Sequence, residues 1–172
     1  MEENFKFVLK TDVEPLVRLL NAMPQEKWFQ FTKRQEFYEV HRHTQTIPFK
    51  WIVLGPKRSD FKHPDMPELE LEVNKLANEL REHVSGNTIK GIVLLRLPAG
   101  KGIAPHTDTN FAENNHRYHL PVITHPDVTF CVGGEVISMS AGSWHEINNL
   151  RDHWVKNQST IDRVHLVVDV EE

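Results

Sequence analysis

Two stretches of the chain repeat apolar residues every three or four positions, the spacing that places side chains on one face of a helix. The first predicts an amphipathic helix over residues 12–23, and residues 11–14 have the residue types of a capping box. The second predicts a helix over about 67–83, with Asp65 as its candidate N-cap. We interpret both apolar stripes as surfaces that pack on the core. They consist of Val13, Leu16, Leu19, Leu20 and Met23 in the first helix, and of Leu69, Val73, Leu76, Ala77 and Leu80 in the second.

Most of the remaining chain consists of short β-branched or aromatic runs separated by Gly, Pro and Asp turns, which is the pattern of β-strands. Several short strands at intervals of roughly 8–12 residues, together with two helices, predict a mainly β fold. The specific prediction is a double-stranded β-helix, a cupin-like jelly roll, with about two helices packed on one sheet. The predicted strands are 5–9, 37–43, 47–54, 91–97, 117–124, 128–132, 135–139 and 163–170.

Composition and charge narrow the classes of function. With 172 residues, the chain fits a single domain over 1–172. A net charge of −4 and a pI near 6.3 argue against a protein that mainly binds nucleic acid, because such proteins usually carry a basic face. The first residues include two acids where a signal peptide has a basic region, and no apolar run approaches the ~18 residues of a membrane span. Cys131 is the one cysteine, so no internal disulfide can form, and we expect a cytoplasmic protein without a membrane partner.

A His-x-Asp pattern carries the first candidate chemistry. His106 and Asp108 follow the predicted strand 91–97, and residues two apart in an extended chain face the same side. One imidazole and one carboxylate on one face are two members of the two-His-one-carboxylate triad, which leaves positions on Fe(II) open for a cosubstrate and O₂. The pattern alone is short and is more often a surface turn. The eleven histidines of the chain justify a search for a third ligand.

A series of short motifs over residues 94–170 indicates a family. In order along the chain they are a strand ending in LPAG, then PHTD, RYHLPV, INN, HxVxN and DRVHLVVD. In this order they resemble the aspartyl/asparaginyl β-hydroxylase-type 2-oxoglutarate oxygenases, which include free-proline hydroxylases. The N-terminal half of the chain matches that family only loosely. Several weak motifs in a fixed order are stronger evidence than any one of them.

The resemblance implies that His106, Asp108 and His153 hold Fe(II). The position of Asp108 is a carboxylate in most 2-oxoglutarate oxygenases and a glycine in the animal aspartyl hydroxylase, so this chain resembles the branch with a full triad. His145 is an alternative to His153, because its local sequence His-Glu-Ile is closer to the His-Glu-Val of the animal enzyme. Spacing favours His153, which begins the HxVxN motif and stands ten residues before Arg163.

The resemblance also implies a site for 2-oxoglutarate. Arg163 corresponds to the arginine that pairs with the distal carboxylate of the cosubstrate, and a guanidinium fork matches a carboxylate bidentately. Arg117 and His119 correspond to an Arg-x-His pair that assists cosubstrate binding near the metal. His165 alternates with Arg163 and is either a further site residue or a hydrogen-bonded core histidine. Where this chain has Leu95, the animal enzyme has a serine that touches 2-oxoglutarate, so cosubstrate binding differs in detail.

The expected function is that of an Fe(II)- and 2-oxoglutarate-dependent dioxygenase. The resemblance implies hydroxylation of a C–H bond of an amino acid, peptide or protein side chain, with release of succinate and CO₂. The prime substrate is then a small molecule or peptide, recognised by loops such as 55–67 and 109–116. The alternative from another class is a non-catalytic jelly-roll module that binds a small molecule or metal, and a hydrolytic metal site is a third. An open iron site together with an arginine set for a dicarboxylate favours the dioxygenase over both.

Overall fold

The structure, a computed structural model, describes residues 2–50, 64–85, 88–108 and 115–171. Within these ranges the chain forms three α-helices and ten β-strands. The helices are α1 (Glu14–Ala22), α2 (Lys33–Phe37) and α3 (Pro67–Arg81), and short 3-10 helices lie at Gln25–Phe29 and Glu39–His41. The strands are β1 (Phe5–Lys10), β2 (Gln45–Lys50), β3 (Thr88–Leu97), β4 (Gly102–His106), β5 (Asn115–Ile123), β6 (Val128–Val132), β7 (Glu135–Ile137), β8 (Ser143–Ile147), β9 (His153–Asn157) and β10 (Arg163–Glu171).

The strands form two antiparallel sheets, as the predicted double-stranded β-helix requires. The larger sheet has six strands in the order β1-β8-β5-β10-β3-β2, and the smaller has four in the order β4-β9-β6-β7. Apolar side chains from both sheets meet in one cluster that includes Leu95 and Val167 of the larger sheet and Phe130 and Val155 of the smaller. The two sheets therefore pack face to face, and the space between them is the interior of the jelly roll.

The alternation of β10, the central strand, shows how the chain separates its core from its site. Val164, Leu166, Val168 and Val170 face the helices, and all four belong to the cluster that contains the apolar stripes of α1 and α3. The alternate positions of the strand, which include Arg163, point to the interior between the sheets. The prediction of about two helices packed on one sheet is confirmed. No helix among the described residues is long and apolar enough to cross a membrane.

The predicted strand over 37–43 is wrong. The chain there forms the last turn of α2 and the 3-10 helix Glu39–His41, and β2 begins only at Gln45. The aromatic and β-branched residues favoured a strand, but Phe37 and Tyr38 are exposed by 47% and 41%, while His41 is buried. The buried His41 lies in the 3-10 helix that follows the extended residue Tyr38, so its burial does not come from strand alternation. The predicted strand 47–54 is confirmed as far as Lys50, and residues 51–54, like most of the loops 55–67 and 109–116, lie outside the described residues.

The predicted helix caps are also wrong, although both helices exist. The hydroxyl of Thr11 does not cap α1 and instead donates to Oε2 of Glu79 at 2.6 Å, which ties the start of α1 to α3. At α3, Met66 occupies the N-cap position and no side chain caps the helix. A proline stands in the first two positions of each helix. Because proline has no N–H, each start has one donor fewer to satisfy, and at α1 the carboxylate of Asp12 accepts from the N–H of Glu14 at 2.9 Å.

Candidate metal centre

The three predicted ligands lie where two neighbouring strands of the smaller sheet meet. His106 is the last residue of β4 and His153 the first of β9, and the two stand opposite each other in the β4–β9 register. Asp108 follows β4 by two residues. One ligand atom from each of the three side chains lies within 4.8 Å of the others, and Nε2 of His106 is 3.7 Å from Oδ1 of Asp108. This is the spacing of side chains that can share one metal ion.

Backbone hydrogen bonds fix which ring nitrogen each histidine offers. Nδ1 of His106 lies 2.9 Å from the carbonyl oxygen of Ala104, and Nδ1 of His153 lies 2.9 Å from that of Arg151. Because a carbonyl only accepts, Nδ1 must donate in both rings, and Nε2 keeps its lone pair. Burial and then His106 lower the pKa of His153, so that this imidazole is neutral near pH 7 and able to bind a metal.

Arg117 orients the carboxylate of this centre. Its Nη1 donates to Oδ2 of Asp108, while Nε and Nη2 donate to the two oxygens of Asp169 at 2.8 and 3.1 Å. Asp169 stands opposite Arg117 in the β5–β10 register. Burial favours the protonated form of Asp108, but Arg117 and the two ligand histidines outweigh it and lower its pKa. The structure thus pairs Arg117 with the carboxylates of Asp108 and Asp169, whereas the resemblance assigned it to cosubstrate binding.

Asp169 was not predicted from the sequence. It holds Arg117, which in turn holds the candidate ligand Asp108. We expect Asp169→Asn to weaken iron(II) binding by about 10–100-fold, the usual range for losing a partner behind a metal ligand. The reason is that Arg117 then loses the ion pair that holds it in place. Anaerobic titration with iron(II) measures the change. Glu171→Gln, which removes the partly exposed ion pair between Glu171 on the strand of Asp169 and Lys90 on β3, is the matched control. Equal iron affinity in a folded Asp169→Asn protein and in wild type would show that Arg117 needs no such support.

Arg163 lies in the interior with most of its hydrogen-bonding capacity unused. The residue is 1% exposed, and its Nη2 lies 2.6 Å from Nδ1 of His165. Its Nε and Nη1 have no hydrogen-bond partner among the described residues. Burial lowers the pKa of the guanidinium to about 9, which leaves it charged at neutral pH. A buried cation without an anion is costly, so the arrangement suits a carboxylate supplied by a ligand.

A row of rings connects Arg163 with the metal ligands. The ring of His165 lies 5.7 Å from that of His119, and His119 packs edge-on against Phe130 at 5.1 Å. Phe130 in turn lies 6.4 Å from His153, measured between ring centroids. Burial and then Arg163 hold the pKa of His119 and His165 well below the usual value, so both rings are neutral. His165 is therefore an inward-facing neighbour of Arg163 and is fully enclosed.

His145, the alternative ligand, lies elsewhere on the interior face. It belongs to β8 and stands opposite His119 in the β5–β8 register. Its ring contacts Phe7 edge-on at 5.8 Å. In the part of the chain that the structure describes, only one group of three or more His, Cys, Asp or Glu side chains could hold a metal ion. It consists of His106, Asp108 and His153, and His145 is outside it.

A histidine from outside the two sheets also lies near the candidate ligands, and it was not expected there. His41, at the end of the 3-10 helix after α2, is 6% exposed, and its ring lies 5.2 Å from that of His106, nearly perpendicular to it. Nη2 of Arg34 lies 2.8 Å from Nε2 of His41. The two residues are seven apart, but the helix ends at Phe37 and Tyr38 is extended, so no periodic pattern in the sequence marks them as neighbours.

Comparison with known proteins finds one matching family model and solved structures of the same fold. The sequence model described as aspartyl/asparaginyl beta-hydroxylase matches residues 16–172. Among solved structures, a 2OG-Fe(II) oxygenase family oxidoreductase from Burkholderia pseudomallei superposes with a TM-score of 0.61 at 15% identity, over 99% of this chain and 85% of that one. The viral collagen prolyl hydroxylase of Paramecium Bursaria Chlorella virus-1, solved with 2OG, gives 0.56 at 7% identity, over 99% and 96%. No curated protein matches the chain.

Proposed function

Because the chain belongs to the aspartyl/asparaginyl β-hydroxylase family, we propose that it is an Fe(II)- and 2-oxoglutarate-dependent dioxygenase. The proposed reaction hydroxylates a C–H bond of an amino acid, peptide or protein side chain. The observation that carries the proposal is the presence, in one jelly-roll interior, of a possible His-Asp-His metal site and a buried guanidinium with unused donors. The viral prolyl hydroxylase of the same fold was solved with 2OG, which supports the choice of cosubstrate.

The donor set fits iron(II). Two neutral imidazoles and one carboxylate are the ligands of non-haem iron oxygenases, and they leave coordination positions for a chelating cosubstrate and O₂. His106, Asp108 and His153 would hold the ion through Nε2, a carboxylate oxygen and Nε2. When bound, iron and 2-oxoglutarate supply the oxidising chemistry, in which one oxygen atom of O₂ enters the substrate and the other enters succinate as CO₂ leaves.

The residues of this chain would bind the cosubstrate, orient a metal ligand and exclude water from the interior. Arg163 would pair with the far carboxylate of 2-oxoglutarate through an N–H that no described residue accepts, on Nη1 or on Nε. Arg117 would hold Asp108 in one orientation, while His119 would line the space between Arg163 and the metal. Leu95 is 4% exposed and belongs to the apolar cluster between the sheets. At the position of the animal enzyme's serine, this chain would therefore exclude water and offer the cosubstrate no hydrogen bond.

Spectroscopy and turnover test the proposal directly. Protein loaded anaerobically with iron(II) should develop a new visible absorption band when 2-oxoglutarate is added, because the cosubstrate chelates the metal. In air, the same sample should slowly form succinate without any prime substrate. A protein that binds iron(II) but shows neither response would act as a metal-binding module, and one that binds no metal would refute the site. Zinc(II) in place of iron(II) is the control, since it fills the ligands without redox chemistry.

A further inference from the structure

A cavity lies on the outer face of the smaller sheet, behind the candidate metal centre. It encloses about 620 Å³ and is partly open to solvent. One wall consists of residues 39–43, and the other consists of β4 and the adjoining part of β9. Ile103 and Val155 of these strands belong to the interior cluster, so the residues next to them, among them Trp154, point outwards. A volume of this size is typical of sites for small molecules.

The same two strands carry two candidate metal ligands on their inner side. Pro105 lines the cavity and directly precedes His106, and Trp154 lines it and directly follows His153. The wall at residues 39–43 also reaches the metal centre, because the ring of His41 lies 5.2 Å from that of His106. An occupant that contacts both walls would therefore restrain the strand ends from which the two ligand histidines extend.

Trp154 gives the cavity a surface for a planar ring. Its side chain is half-buried, and Nζ of Lys156 lies 4.8 Å from the centroid of its ring. One face of the indole is thus turned towards an exposed, flexible side chain and not towards the core. A planar ligand can replace Lys156 on this face by stacking, and the ammonium is then available to an anionic group of the same ligand.

The charges of the lining favour an anion. Arg42 and Lys156 give two positive charges, against one negative charge from Glu39. Glu39 pairs with Arg42, but both side chains are exposed, and such a pair contributes little to stability and can open for a ligand. Nε of Arg42 also donates to Nε2 of His43 at 3.1 Å, which leaves the ring proton of His43 on Nδ1 as a further donor.

A peptide strand is a less suitable occupant than a small molecule. β4 is an edge strand of the smaller sheet, and a peptide that extends a sheet pairs with the N–H and carbonyl groups of its edge. Pro105 has no N–H, and the carbonyl oxygen of Ala104 already accepts from Nδ1 of His106. This edge is therefore poorly equipped to pair with another strand.

We propose that this cavity is a second ligand site, which binds a small planar aromatic compound with an anionic group. The ring packs on Trp154, while Lys156 and Arg42 bind the anionic group, which is either a carboxylate or a phosphate. Because the occupant joins the two walls of the cavity, it tightens metal binding on the inner face of the same strands. This regulation rests on the proposed function, whereas binding in the cavity is independent of it.

The first experiment measures binding of matched probes by calorimetric titration of the full chain. Indole-3-acetate and adenosine 5′-monophosphate each carry a planar ring and an anion, and indole-3-acetamide and adenosine are their neutral counterparts. We expect at least one anionic probe to bind with a Kd about 5-fold or more below that of its neutral counterpart. Cyclohexylacetate, which keeps a carboxylate without an aromatic ring, should bind more weakly than indole-3-acetate. The arm that responds shows whether the anionic group is a carboxylate or a phosphate.

NMR spectra and variants assign the binding to the cavity. The indole N–H signal of Trp154 should shift with the probe and stay shifted when 2-oxoglutarate is added. Lys156→Glu reverses a charge of the lining and should raise the Kd of the anionic probe about 5-fold or more. Lys101→Glu makes the same change on an exposed lysine outside the lining and should leave the Kd nearly unchanged. Thermal unfolding shows whether each variant is folded.

The second experiment measures the coupling between the cavity and the metal. Zinc(II) fills the candidate ligands without redox chemistry, so the probe is titrated into metal-free and into zinc-loaded protein. Zinc(II) should lower the Kd of the probe about 5-fold or more, and by linkage the probe should lower the Kd of zinc(II) by the same factor. At a probe concentration that saturates the wild type but not Lys156→Glu, the effect on zinc(II) should be smaller in the variant.

Each part of the inference has its own contrary result. If no anionic probe binds, if the neutral counterparts bind equally well, or if Lys156→Glu binds like the wild type, the cavity is not such a site. Binding that 2-oxoglutarate abolishes would assign the probe to the interior. An equal or higher Kd in zinc-loaded protein would overturn the regulation. Failure of the proposed function is distinct, because it shows as a missing absorption band with iron(II) and 2-oxoglutarate and leaves binding in the cavity unaffected.

Discussion

His153→Ala is expected to lose metal-dependent turnover, whereas His145→Ala keeps iron binding and at least part of the activity. His153 lies opposite His106 in the β4–β9 register, so its removal leaves two ligands, which hold iron(II) poorly. Iron affinity should fall by more than the roughly 100-fold that follows from losing a supporting partner. His145 lies on β8 against Phe7, outside the three-residue group. Anaerobic iron titration and succinate formation measure both effects.

The two alanine variants control for each other, because each removes an inward-facing imidazole from the jelly roll. Circular dichroism and thermal unfolding should be compared first, since a buried histidine can be structural. A folded, metal-free His145→Ala protein beside an active His153→Ala protein would reverse the assignment. It would also shift the correspondence of the last 30 or so residues with the family motifs, on which the role of Arg163 depends.

The second large effect concerns Arg163. Arg163→Ala should raise the KM for 2-oxoglutarate by about 30-fold to several thousand-fold while iron affinity stays nearly intact. Truncating one partner of a buried charged pair costs on the order of 2–5 kcal/mol, and about 1.4 kcal/mol corresponds to a factor of ten. The site of Arg163 on β10 is separated from the metal ligands by His165, His119 and Phe130, so the metal should not sense the change directly.

Arg163→Lys provides the graded control for this prediction. Lysine keeps the charge but not the fork of two parallel donors, so its KM should fall between those of wild type and Arg163→Ala. Steady-state kinetics with 2-oxoglutarate as the varied substrate make the measurement. An unchanged KM in Arg163→Ala would move the carboxylate anchor to another cation, and Arg117 would be the first to examine.

The fold could be predicted largely because apolar alternation marks its central strands. The run 163–170 corresponds to β10 and the run 128–132 to β6, and the stripes of both long helices pack as expected. The strands β4, β8 and β9 were absent from the predicted runs. Each of them has a histidine at one inward position, next to a single apolar residue of the interior cluster. The histidines are His106, His145 and His153, and the apolar residues are Ile103, Ile147 and Val155. The site itself thus interrupted the pattern by which strands are recognised.

The candidate site could be predicted only where its residues are close in sequence or belong to a recognised motif. The pair His106 and Asp108 follows from alternation in an extended segment, and the motif order supplied His153 and Arg163. Asp169 could not be paired with Arg117, because that contact depends on the register between β5 and β10. Arg34 and His41 were missed for a related reason, since their contact near His106 depends on the extended residue Tyr38 between α2 and the 3-10 helix.

The unused donors of Arg163 have a consequence for the lifetime of the protein. A native state that buries a cation without its anion is less stable than the same state with the anion bound. A ligand that binds only the native state stabilises it in proportion to the logarithm of its concentration, by about 2.7 kcal/mol at one hundred times Kd. If 2-oxoglutarate is that ligand, its concentration would set how often the chain unfolds. Resistance to proteolysis would then rise with the concentration of 2-oxoglutarate, whether or not any prime substrate is present.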